Sequence, residues 1–384
     1  MKKFLFWATV VGTSLTGCVN DVETVLSPED NPQQITFEVG KYKPSSRATI
    51  TFPVDTTFGA FAFQEKLGVP GHQIFMDNVE ISYKRAATPY WSPRGKDYYW
   101  PTQGHLDFIC YFPHEEYTLD SNGNETVSAV VPKLSNDLNT LSYYNYTVNA
   151  DEPDDLLYSD KAVKYTSNSI FHNFAGVPVL FHHALAKLAF RVRAQRLNNS
   201  ASSSEVTNWT IKLNSVKISG IYSSGSVSLT VPEYTETSPT RLQWSVSGDK
   251  QVWTPNGTQV EKTWTPTGGQ YLLADSERKG ALLKDGENSE AKDYYVLPQT
   301  LDPNAQTITI SYTVTTVHPE GNSDVKDYTT TKKFTEFPSV TAWEMGKYIT
   351  YVIEIDPAGD IINFAPAVED WVTAGNGTGG YIAI

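Results

Sequence analysis

Apolar and polar positions alternate with a period of two over most of the chain, in runs too short for ordinary helices. The first half carries QITFEV (34–39), ATITFPV (48–54), GAFAFQ (59–64), VEISYK (79–84) and LDFICYF (106–112). The second half carries LAFRVRA (188–194), WTIKLNSVKISGI (209–221), GSVSLTV (225–231), TITISYTVTT (307–316), YTTTKKF (328–334) and YITYVIEI (348–355). Successive side chains of an extended strand point to opposite faces, so alternation predicts strands buried on one side. Their β-branched and aromatic residues suit a pleated sheet, and clusters such as LGVPGH, SPRGKD and DSNGNE supply the turns between them. Only the stretch around HHALAKLA (182–189) could form a short helix. The expectation is an all-β protein made of β-sandwiches.

At 384 residues the chain is too long for one sandwich of roughly 100 residues. The pattern divides into an N-terminal sandwich over 33–180 and a C-terminal sandwich with a terminal strand over 181–384, behind a leader (1–17) and a flexible tether (18–32). Met1-Lys2-Lys3 and the apolar FLFWATVVGTSLTG have the charged start and short apolar core of a secretory signal. That run is shorter than the ~20 apolar residues a membrane span needs. Leu15-Thr16-Gly17-Cys18 resembles the bacterial lipobox, whose cysteine is diacylated and becomes the new N-terminus. Two acyl chains anchor stably where one holds only marginally, so lipidation at Cys18 would tie the protein to the outer membrane. The alternative is a soluble secreted protein with a chance cysteine.

Charge narrows the partners. Thirty Lys and Arg stand against 43 Asp and Glu, a net charge of −13. The basic residues are scattered, without the stripe that displaces counterions from nucleic acid, which excludes that class as the default partner. There are 2 cysteines, and with Cys18 acylated Cys110 has no intramolecular partner. Cys110 lies inside LDFICYF and reads as an inert core thiol.

Motifs for chemistry fail on inspection. His182 and His183 are adjacent and would face opposite ways in a strand, so they cannot share an ion, and no metal site is expected. Asp120-Ser121-Asn122-Gly123-Asn124 begins like a calcium loop, but Glu125 and Val131 stand where Gly and a bidentate Glu are required, which leaves a hairpin tip. Gly375-Asn376-Gly377-Thr378-Gly379-Gly380 fits the letters of a dinucleotide motif without room for the following helix. No catalytic residue and no cofactor is expected. The best binding candidate is the aromatic stretch Tyr90, Trp91, Tyr98, Tyr99 and Trp100. Its rings either stack on a glycan or partner protein, or fold into the sandwich around a tight turn.

Several ordered stretches resemble the fimbrillin (Mfa-like) family of Bacteroidales surface lipoproteins. They are Asp155-Leu156-Leu157-Tyr158-Ser159, Phe181-His182-His183-Ala184-Leu185-Ala186-Lys187-Leu188, Val296-Leu297-Pro298-Gln299, Trp343-Glu344-Met345-Gly346-Lys347-Tyr348-Ile349-Thr350-Tyr351 and Asp370-Trp371. The resemblance implies two tandem transthyretin-like β-sandwich domains, exported as a lipoprotein and assembled with other fimbrial subunits into a homo- or heteropolymer, the surface receptor being unspecified. It also implies that an arginine-specific protease removes the first strand, opening a groove for a strand of another subunit. Arg47-Ala48, in the loop after QITFEV, fits such a cut, and is otherwise an ordinary exposed loop. Tyr381-Ile382-Ala383-Ile384 is the donor this implies, though four residues are few for a whole groove, which leaves shaft, tip, anchor and accessory positions open. A lipid-anchored glycan-binding protein using the aromatic stretch is the alternative function.

Overall fold

The computed structural model describes residues 34–39, 52–87, 89–148, 155–169, 176–194, 208–231, 233–235, 253–272, 281–283, 294–302, 305–336, 340–355 and 362–370. These residues form strands, turns and a single 3-10 turn at Phe334–Glu336. The leader, the tether, Arg47, Ala48 and the segment from Tyr381 to Ile384 lie outside them.

Five strands open the fold: β1 (Phe37–Val39), β2 (Thr57–Glu65), β3 (Gln73–Lys84), β4 (Tyr90–Pro93) and β5 (His105–Phe112). Next come β6 (Thr118–Leu119), β7 (Glu125–Thr126), β8 (Lys133–Leu134), β9 (Thr140–Thr147), β10 (Leu157–Ser159), β11 (Lys161–Tyr165), β12 (Val177–Val179) and β13 (Phe181–His183). The second half adds β14 (Ala186–Ala194), β15 (Asn208–Thr230), β16 (Glu233–Thr235), β17 (Thr254–Trp264), β18 (Gln270–Leu272), β19 (Ala281–Leu282) and β20 (Tyr294–Val296). The chain closes with β21 (Gln299–Thr300), β22 (Thr307–Val317), β23 (Ser323–Lys333), β24 (Ala342–Trp343), β25 (Lys347–Ile355) and β26 (Ile362–Asp370).

Three sheets hold most of these strands. A ten-stranded sheet runs β12-β1-β4-β3-β2-β5-β10-β13, with β11 on β5 and β16 on β11. A seven-stranded sheet runs β23-β22-β15-β9-β8, with β17 and β18 also on β15, and a five-stranded sheet runs β19-β14-β25-β26 with β20 on β14. One core, including Phe37, Phe58, Phe108 and Trp91, lies within the ten-stranded sheet. A second, including Phe190, Leu213, Ile310 and Tyr351, lies between the five- and seven-stranded sheets. A third, including Ile109, Tyr143, Leu229 and Trp253, joins the ten- and seven-stranded sheets. This arrangement explains the apolar run from Phe108 to Phe112 in β5. Leu106, Phe108 and Cys110 face the first core while Ile109 faces the third, so the strand is covered on both sides.

Residue 180 stands differently to the cores and to the sheets. The first core draws on Ile35 to Val179 and the second on Ala186 to Ile355. The third core and the seven-stranded sheet straddle that point, because β15 pairs with β22 along its first half and with β9 along its last. Gly220, at φ 78, marks the shift in register midway along β15. Phe181–His183 pairs with β10 and so belongs to the N-terminal sheet.

The possible helix at 182–189 is corrected: the segment is two strands joined by a bend at Ala184-Leu185. Residues 181–183 form β13, and β14 pairs antiparallel with β20 and in parallel with β25. Tertiary ladders here override a local pattern that was ambiguous over so few residues. The hairpin tip at Asn122-Gly123 is present. The Asp120 carboxylate accepts the backbone N–H groups of Asn122 and Asn124, both at 2.8 Å, and Gly123 has φ 80.

Candidate functional site

The strand β1 lies between β4 and β12. Three residues long, it is an internal strand, parallel to β12 through Phe37↔Val177, Glu38↔Pro178 and Val39↔Val179, and antiparallel to β4 through Phe37↔Trp91. Ile35 N–H donates to the Tyr98 carbonyl at 2.8 Å, and Val177 N–H donates to the Thr36 carbonyl at 2.8 Å. A bridge between Gln34 and Tyr99 and a 2.9 Å hydrogen bond from Gln34 Nε2 to Asp97 Oδ1 extend the contact upstream.

Alternation places Ile35 and Phe37 inward, and they are 0% and 1% exposed. The Phe37 ring meets Phe58 and Phe108 edge to face, with centroids 6.1 and 5.6 Å away. Each such buried side chain contributes about 1.5–3 kcal/mol. Below them Phe52 packs on Trp91, Phe112 and Phe181 at 5.5, 5.2 and 5.2 Å. On the β12 side Gly176 admits the backbone of Thr36 closely: a Cβ there would fall 2.6 Å from the Thr36 carbonyl oxygen. Without β1, the facing edges of β4 and β12 lose main-chain partners, and sockets lined by Phe58, Phe108, Trp91 and Val177 open.

The aromatic stretch divides. Tyr90 and Trp91 are each 5% exposed, which corrects their candidacy as surface rings: both lie on β4, and Trp91 faces the core beside β1. Tyr98 and Trp100 are half-buried against the same core, with the Lys96 ammonium 5.0 Å from the Tyr98 ring centroid. Tyr99 alone of the five is exposed. A flat stacking platform is therefore not assembled by these rings; most of them wall the first core.

His182 and His183 face opposite ways and have separate carboxylates, with His182 Nε2 2.5 Å from Asp160 and His183 Nδ1 2.6 Å from Asp155. Among the described residues no group of three His, Cys, Asp or Glu could hold a metal ion. Cys110 is buried, and burial pushes its thiol well above the ordinary range. Among the described residues no helix is long and apolar enough to cross a membrane.

The fimbrillin-like family profile matches residues 46–371. The chain belongs to the fimbrillin-like family. No curated protein matches it. Among solved structures, a fimbrial protein from Bacteroides vulgatus is 15% identical, with 88% of this chain and 100% of that chain aligned at a TM-score of 0.54. A candidate cell adhesion protein from Bacteroides uniformis is 18% identical over 88% of this chain and 98% of the other, at a TM-score of 0.46. This fimbrillin-like protein thus shares its all-β fold with a fimbrial protein of nearly the same extent.

The residues that shape the β1 site are only partly legible in the sequence. Phe58 and Phe108 stand out as apolar strand positions, but nothing local says that they bracket Phe37. Gly176 carries no turn signal, since its need is a close approach from a strand some 140 residues away.

Proposed function

We propose that this protein is a subunit of a cell-surface fimbrium, exported as a lipoprotein acylated at Cys18 and assembled by strand exchange. Cleavage between Arg47 and Ala48 releases β1, and a strand from another subunit takes its place. The observation that carries this reading is the insertion of β1: an internal strand lying wholly upstream of Arg47, held by few main-chain contacts and by two fully buried side chains. The family match supports the same division, because it begins at residue 46 and leaves β1 outside.

An emptied groove exposes unpaired backbone and apolar sockets, the condition that folded sheets normally avoid. A donor strand satisfies both, drawing affinity from main-chain hydrogen bonds and selectivity from alternate side chains. Ile382 and Ile384 are two positions apart, like Ile35 and Phe37, so in a strand both can face the sockets. Repeated head to tail, such a contact does not close and grows a filament.

The test is Arg47→Ala in the native cell. The variant is expected as a folded, acylated monomer, whereas the wild type yields high-mass material whose N-terminus is Ala48. Normal polymer from Arg47→Ala, or polymer that retains residues upstream of Arg47, defeats the proposal.

A further inference from the structure

Away from the groove, a buried lysine sits between a carboxamide and a carboxylate. We infer that Lys161 and Asn139 are joined by an intramolecular isopeptide bond, formed with Glu233 as the proton-transfer group. Lys161 is 4% exposed, and its Nζ lies 2.9 Å from Asn139 Oδ1 and 3.0 Å from Glu233 Oε1. Three separate segments supply these groups: the turn between β8 and β9, the start of β11 and the start of β16.

The backbone fixes the meeting point. Lys161 and Glu233 are directly opposed in the parallel β11–β16 pair, and Val231 N–H donates to the Asn139 carbonyl at 2.9 Å. Asn139 Nδ2 donates to Asp137 Oδ2 at 3.2 Å, which turns the amide oxygen towards Lys161. Asp137 is itself held below the ordinary carboxylate range, first by the Ser135 hydroxyl and then by the backbone N–H of Asn139, so it presents a negative charge to the amide nitrogen. Leu138, Ala162 and Val231, next to the cluster in sequence, are all buried.

The chemistry balances without an oxidant or cofactor. Glu233 takes one proton from the Lys161 ammonium, and the freed amine, 2.9 Å from the amide oxygen, then closes on its carbon to the ~3–3.5 Å of a near-attack geometry. A bond forms from Lys161 Nζ to Asn139 Cγ, and the Cγ–Nδ2 bond breaks. The attacking nitrogen passes a second proton to the departing one, which leaves as ammonia, and Glu233 returns its own proton to give ammonium. Net, a lysine ammonium and an asparagine carboxamide become a secondary amide and an ammonium ion. The link ties β11 of the ten-stranded sheet to the β8–β9 turn of the seven-stranded sheet.

The experiment uses the full mature chain, purified after folding and denatured for intact-mass and peptide analysis. A mass lower than the sequence value by one ammonia, with a branched peptide joining Asn139 to Lys161, is expected. Glu233→Gln is expected to keep the far-ultraviolet spectrum of the wild type while showing the full mass and separate peptides. Wild-type protein at full mass, with Asn139 and Lys161 in unlinked peptides, overturns the inference and leaves an ordinary ion pair between a buried lysine and an exposed glutamate. A fully linked Glu233→Gln overturns the role given to Glu233.

Discussion

At the scale of single residues, the decisive contacts are close approaches. Gly176 lies where a side chain would collide with Thr36, 2.6 Å from its carbonyl oxygen and 2.7 Å from its carbonyl carbon. A methyl group there must push β1 or its own backbone aside. Gly176→Ala is therefore expected to destabilise the uncleaved protein by about 1–3 kcal/mol, the usual cost of overpacking, read from the urea midpoint. An unchanged midpoint would mean that Thr36 can move freely and that the groove is looser than its geometry implies. The glycine itself is plain in the sequence, but its reason for being glycine is not, because the neighbour it accommodates is remote along the chain.

Among elements, β1 and β23 represent opposite solutions to the same problem. β23 forms the outer edge of the seven-stranded sheet and carries Asp324, Lys326, Asp327, Lys332 and Lys333, charges that discourage pairing with another chain. β1 is internal and apolar, and its loss would create a pairing site without that protection. Phe37→Ala in the uncleaved chain is expected to cost about 3–5 kcal/mol, since it empties a socket walled by Phe58 and Phe108. Val325→Thr, at an exposed position of β23, should stay within about 0.5 kcal/mol. Chemical denaturation of the two variants separates them; a small effect from Phe37→Ala would show that β1 adds little to the first core.

For the whole molecule, the shared seven-stranded sheet and the third core couple the two halves of the chain. Tyrosines report on the second core through Tyr351 and on the third through Tyr143 and Tyr158. Burial raises the phenols of Tyr111, Tyr143, Tyr158 and Tyr351 above their ordinary value of 10.0, with the Asp160 charge adding to the effect at Tyr158. A raised folded value means that the neutral phenol is the form the fold favours. The associated stability is present below pH 10.0 and is lost as pH rises past it, because the unfolded chain ionises first. The urea midpoint should fall above that pH, and the slow fraction of the phenolate absorbance should appear together with loss of the near-ultraviolet spectrum. Ionisation of all tyrosines with that spectrum intact would contradict their burial.

The all-β class, most strand positions, the Asn122-Gly123 hairpin and the burial of Cys110 are legible in the sequence alone. These depend on alternation and turn chemistry, which act over a few residues. The sequence also singled out the aromatic stretch, without saying which rings face the core. The folded molecule is needed to see that Tyr90 and Trp91 are inside, that β1 lies between β4 and β12, that residues 182–189 are strand and bend instead of helix, and that β15 serves two cores. It alone brought Lys161, Asn139 and Glu233 together. The physical reason is that strand pairing joins residues far apart in the chain, and one strand's alternation says which faces are apolar but never which partner covers them.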